Sequence, residues 1–138
     1  MKITELLVER RESKENVVRM FKDFFPIAME VLELERLPTV KFAPELNTGS
    51  QPSFGMYVNG ENILYVALKN RHPVDILRTV AHELAHFRQD LRGELNDNSG
   101  MTGSPEENQA HELAGIVMRN FNKANPHFFQ TDAVNLEE

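Results

Sequence analysis

The sequence predicts an α+β fold: an N-terminal helix, a small, mostly antiparallel sheet of two or three strands, then two further helices. Three observations carry this expectation. Apolar residues recur at helical spacing in three separate segments, around 17–34, 74–91 and 110–121. Between the first two segments lie short runs of β-branched, aromatic and aliphatic residues. Asn59-Gly60 separates two of those runs, a strong short-range signal for a hairpin.

Residues 1–13 are mixed and charged, a helix or a loosely ordered tail. From Ser13, the residues Val17, Val18, Met20, Phe21, Phe24 and Phe25 keep helical spacing. Pro26 interrupts them, and Ile27, Met29, Val31, Leu32 and Leu34 continue to about Glu35. One long helix kinked near Pro26, or two short ones, is expected. These residues are core, and no chemistry is assigned to them. Val40 and Phe42 alternate with Thr39 and Lys41 as in a strand. Residues 44–53 are dense in turn formers and read as a loop. Phe54 to Val58 and Ile63 to Leu68 are the two arms of the hairpin.

The second helix has Pro73 in its first turn, Asp75 near its positive end and Gly93 as its stop. Val74, Leu77, Val80, Ala81, Leu84, Phe87 and Leu91 make its buried stripe. Residues 93–104 form a loop of the kind that borders active sites. Ser104, Pro105 and Glu107 then form a capping box for the last helix, which runs to about Lys123. Ala110, Leu113, Ala114, Val117 and Phe121 face the core, and Gly115 is expected where another element comes close.

With 138 residues the chain is read as one domain, 1–138, with 1–13 and 125–138 as candidate flexible tails. An apolar content of 41% and a charged content of 26% are those of an ordinary water-soluble protein. There is no Cys, which excludes disulfides, thiolate ligands and a cysteine nucleophile. Any transition metal would be held by His and carboxylates. Met1-Lys2-Ile3-Thr4-Glu5 has no signal-peptide character, and no apolar run reaches membrane-spanning length, so a cytoplasmic protein is expected. A net charge of −6 argues against a nucleic-acid partner. Arg10, Arg11 and Lys14 are interleaved with Glu9, Glu12 and Glu15 as on a solvated helix face.

One pentapeptide concentrates the chemistry: His82-Glu83-Leu84-Ala85-His86. Residues four apart share a helix face, so both imidazoles can aim at one point, with Glu83 beside them. Two neutral nitrogens and an adjacent carboxylate suit a catalytic zinc ion that keeps one position open for water. This is the HExxH pattern of zinc-dependent peptidases. Two solvated surface histidines are the plainer alternative. The pattern is favoured over it by falling inside the strongest amphipathic helix, between a clear start and a clear stop. A third ligand is then required. Position 92 is Arg, which rules out the long-spaced three-histidine arrangement. Glu106, Glu107, His111 and Glu112 form the next metal-capable cluster, with Glu107 and His111 on one helix face. His72 and His127 read as a helix-start residue and a tail residue.

HELAH, followed by Glu107-Asn108-Gln109-Ala110-His111-Glu112-Leu113-Ala114, resembles the gluzincin arrangement. The nearest likeness is to small ImmA/IrrE-type minimal metallopeptidases, over roughly residues 63–121. The resemblance implies a minimal zincin-like domain with His82, His86 and Glu107 as metal ligands and Glu83 as general base. It implies that His111 stands where the family usually has Asp or Asn, a position that supports a ligand histidine. His111 itself, giving a three-histidine site, and Glu106 remain open as third ligands. His111, Tyr65 and Tyr57 are all candidates to steady an oxyanion. The resemblance also implies that the strand at 63–68 runs along the cleft and pairs with an extended peptide substrate.

Hydrolysis of peptide bonds with Zn2+ is thus the expected activity, on a peptide or protein substrate. The alternative is a zincin-fold binding or assembly protein with a structural metal. Ile3-Thr4-Glu5 and Leu7-Val8-Glu9 look like phage prohead-protease cleavage sites, which would make this a phage accessory protein of the host cytoplasm. A SprT-like DNA-associated protease is disfavoured by the missing Cys and the acidic balance.

Overall fold

The computed structural model of the chain describes residues 3–48, 51–96 and 103–127. Half of the expected 93–104 loop (97–102) and the tail after 127 lie outside these. Helix α1 (Ile3–Leu32) runs through both the expected tail region and Pro26 as one element. Pro26 removes one backbone donor without ending the helix, because the apolar stripe on either side stays anchored. Met20, Phe24, Ala28 and Leu32 are all buried. The helix stops earlier than Glu35. Glu33 takes a left-handed φ of 55°, and the Leu34 N–H donates to the Met29 carbonyl at 2.9 Å. Arg88 Nε donates to the Leu32 carbonyl at 3.0 Å, closing the last turn from outside.

Three strands form the main sheet: β1 (Thr39–Ala43), β4 (Gly55–Val58) and β5 (Ile63–Ala67), in the order β1-β5-β4. The β4–β5 hairpin is the one expected at Asn59-Gly60, with Gly60 at φ +84°. The sheet is mixed rather than mostly antiparallel, because β1 pairs parallel to β5, Thr39 opposite Ile63 through Ala43 opposite Ala67. Strands β2 (Leu46–Thr48) and β3 (Gln51–Ser53) pair antiparallel where only a loop was expected. Their turn-forming residues tolerate a short edge ladder, Pro52 included.

Helix α2 (Pro73–Leu91) and helix α3 (Pro105–Ala124) pack on each other and on α1, closing one apolar core. Leu64 and Val66 enter that core from β5, Leu77, Leu84 and Phe87 from α2, Val117 and Phe121 from α3. Phe24 and Phe121 meet edge to face at 5.7 Å between α1 and α3. Leu91 is 44% exposed, so the buried stripe of α2 ends before it. Gly115 has open space where a Cβ would be, contrary to the close approach expected there. That approach occurs at Gly55 instead, where a Cβ would collide with the Thr79 methyl and crowd Glu83. None of the described helices is long and apolar enough to cross a membrane.

Candidate metal centre

The pentapeptide lies in the middle of α2, whose ends are well made. His72 is the N-cap, its Nδ1 accepting from the Val74 N–H at 3.1 Å, and Pro73 opens the helix. Gly93, at φ +68°, follows the helix. Burial of Leu84, Ala85 and Phe87 fixes the rotation of α2, which leaves His82, Glu83 and His86 on the side that faces a cleft. On α3, Ser104 Oγ accepts from the Glu107 N–H at 3.0 Å, as the capping box requires. The Glu107 carboxylate, however, is directed to the histidines.

Glu107 is the centre of the cluster. Its Oε1 lies 2.9 Å from His82 Nε2, and its Oε2 lies 3.1 Å from His86 Nε2. His111 Nε2 reaches the same Oε1 at 3.3 Å. The structure thus brings together all five residues singled out from the sequence. Glu106 is not among them. Its side chain accepts from Asn96 Nδ2 at 3.1 Å and its carbonyl accepts from Gln89. His127 does not line the cleft.

The donor set fits a cation. At zinc–ligand distances near 2.0–2.1 Å, tetrahedral neighbours stand about 3.3 Å apart. The observed separations are 2.9 and 3.3 Å from Glu107 Oε1 to His82 and His111, and 3.1 Å from Glu107 Oε2 to His86. His82, His86 and Glu83, and His82, Glu107 and His111, each place their donor atoms within 4.8 Å of one another. Burial lowers the His82 pKa, which Glu107 partly opposes, so a neutral imidazole is favoured as a ligand needs.

Glu83 is the buried member, 6% exposed, and one of its oxygens, Oε2, has no hydrogen-bond partner among the described residues. Burial, with the nearby Glu107 charge added, pushes its carboxyl up to about 8. Without a cation beside it, a carboxyl raised this far holds its proton at neutral pH.

Support for the two histidines is unequal. His86 Nδ1 lies 2.9 Å from Gln89 Oε1. Gln89, fully buried, donates through Nε2 to the Glu106 carbonyl and to Gln109 Oε1, both at 2.8 Å. Sequence reasoning missed Gln89, although its place three residues after His86 on the same helix was a usable signal. His82 Nδ1 is buried and has no partner among the described residues. His111 does not supply one, since its Nε2 is turned to Glu107.

The centre stands in an open cleft of about 1000 Å³ bordered by Phe54, Met56, Arg71 and Thr79. The strand along it is β4. The expectation that residues 63–68 would do so is overturned, because β5 is flanked by β1 and β4 and has no free edge. Arg71 fastens β4 to α2. It donates to the Phe54 and Ala67 carbonyls at 3.3 and 2.8 Å, to the Asp75 carbonyl at 3.1 Å, and to Thr79 Oγ1. Tyr57 Oη donates to Asp90, which also accepts from the Gly60 N–H at 2.9 Å. Burial and that bond hold the Tyr57 pKa well above its ordinary value. Tyr65 does not line the cleft and lies beneath Lys41. No protein-family model, curated protein or solved structure matches the chain.

Proposed function

We propose that this chain is a zinc-dependent metallopeptidase. One observation carries the reading: two HExxH imidazoles and the Glu107 carboxylate meet in the lining of a cleft, beside a buried Glu83 with one oxygen that has no partner among the described residues. His82, His86 and Glu107 would hold the ion. When bound, zinc acidifies a water and polarises the scissile carbonyl. Glu83 takes the proton from the attacking water and delivers it to the leaving amine. Of the three candidates to steady the oxyanion, His111 is favoured. Tyr57 is engaged with Asp90, and Tyr65 lies outside the cleft. The substrate is a peptide or protein laid in extended form along β4, the strand at the cleft end of the main sheet order β1-β5-β4.

A zincin-fold binding or assembly protein with a structural metal is the second reading, favoured by the fourth donor, His111, at the cluster. Glu83 argues for the enzyme, since it adds to the two histidines a buried carboxylate oxygen with no partner among the described residues, which a purely structural site does not need. Elemental analysis and peptide cleavage by the wild type and Glu83→Gln decide between them. One zinc per chain, with cleavage reduced about 10²–10⁴-fold in the variant, supports the enzyme. Zinc without cleavage in either protein supports the second reading. No zinc after purification in zinc-supplemented buffer removes both.

A further inference from the structure

The cluster holds one donor more than a hydrolytic centre uses. Catalytic zinc sites have three protein ligands and an open position, whereas four protein ligands make a closed site. His82, Glu107 and His111 place their donor atoms within 4.8 Å of one another, and His86 Nε2 reaches the other oxygen of Glu107 at 3.1 Å. His111 Nε2 stands 3.3 Å from Glu107 Oε1, the neighbour separation of a tetrahedral shell, and its ring centroid is 4.4 Å from that of His82. It sits one helical turn beyond Glu107 on α3, so the same packing positions both.

The fourth donor differs from the others in freedom. The His86, His82 and Glu107 side chains are 12%, 18% and 18% exposed, whereas that of His111 is 69% exposed. Three donors are confined by the α2–α3 contact. The fourth can rotate about its own side-chain bonds into solvent without disturbing the core. Gly115, one turn further on, leaves open space beside it.

We propose that His111 is a displaceable fourth protein ligand, closing the metal centre at rest and leaving it when a substrate carbonyl or water takes its position. The exchange breaks one metal–nitrogen contact and forms one metal–oxygen contact, with no change of oxidation state. Once displaced, the imidazole stands beside the vacated position, where it can donate to the oxyanion. This inference rests on the metallopeptidase reading and adds a resting state to it.

The test uses the full chain loaded with Co2+ in place of zinc, following visible absorption during titration with metal and then with acetohydroxamate. The wild type is expected to show a four-coordinate spectrum that resists low acetohydroxamate. His111→Ala and His111→Gln should bind Co2+ more than about tenfold more weakly, the least expected when even an outer partner of a ligand is lost. Their spectra should shift at low acetohydroxamate. Equal Co2+ affinity in wild type and both variants overturns the fourth ligand, whatever the spectra show. So does a wild-type spectrum that shifts as readily as theirs. In either case one bound Co2+ per chain leaves the metallopeptidase reading standing. Absence of Co2+ uptake by the wild type overturns both.

Discussion

The two sides of the histidine pair are built differently. His86 is held from behind by Gln89, itself buried and bonded to α3 at two points. His82 has a buried Nδ1 with no partner among the described residues and an exposed imidazole, His111, as its neighbour. A ligand histidine whose second nitrogen is bonded keeps its tautomer and its aim. One without that bond must find both from packing and from the metal. If the centre binds a metal as proposed, the His86 side would be the pre-formed one and the His82 side the one that adapts.

The largest effect that tests this contrast comes from the residue common to both sides. Glu107→Ala should abolish stoichiometric zinc retention, because the carboxylate bridges His82 and His86. Elemental analysis after dialysis checks it, and full retention would show that the histidines alone make the site. Gln89→Leu acts on one side only. It should weaken zinc binding about 10–100-fold in a competitive chelator titration, the usual cost of losing an outer partner. Unchanged affinity would erase the asymmetry.

The acid between the two sides has a pH signature. The Glu83 carboxyl lies at about 8 in the fold against 4.5 ordinarily, so between those values the folded chain keeps a proton that the unfolded chain releases. Its contribution to stability is fully present below the ordinary value and is lost as pH rises through the raised one. In chelator, the melting temperature of Glu83→Gln should therefore gain on the wild type from about pH 5 to 9. A constant gap would mean that Glu83 is not held protonated. The smallest effect is purely steric. Gly55→Ala forces β4 away from Thr79 and should cost about 1–3 kcal/mol in denaturant unfolding, with zinc affinity largely kept.

Much of the centre was legible in the sequence because it obeys helical periodicity. His82, Glu83 and His86 on one helix, and Glu107 and His111 on another, follow from spacing and caps alone. For Gln89 the spacing from His86 was the one available signal, because a lone amide carries no motif and its bonds to the Glu106 carbonyl and Gln109 form only once α3 packs against α2. In the sheet, the hairpin was announced by Asn59-Gly60, whereas the parallel partner β1 was not. Parallel pairing joins segments far apart in sequence, with no turn to mark it. The nearly unbroken apolar run from Ile63 to Leu68 was nevertheless a sign of a central strand. Gly115 and Gly55 show the same limit, since a glycine's spacing does not reveal which one lies beneath another element.

Arg71 gives the cleft a property that its volume does not convey. One cation, held by three carbonyls and a hydroxyl, ties the start of β4, the end of β5 and the first turns of α2 into a single piece. The wall is thereby braced, and a strand laid against it would be metered at about 3.3 Å per residue. Under the proposed function, selection among substrates would then fall to shape and length along that edge.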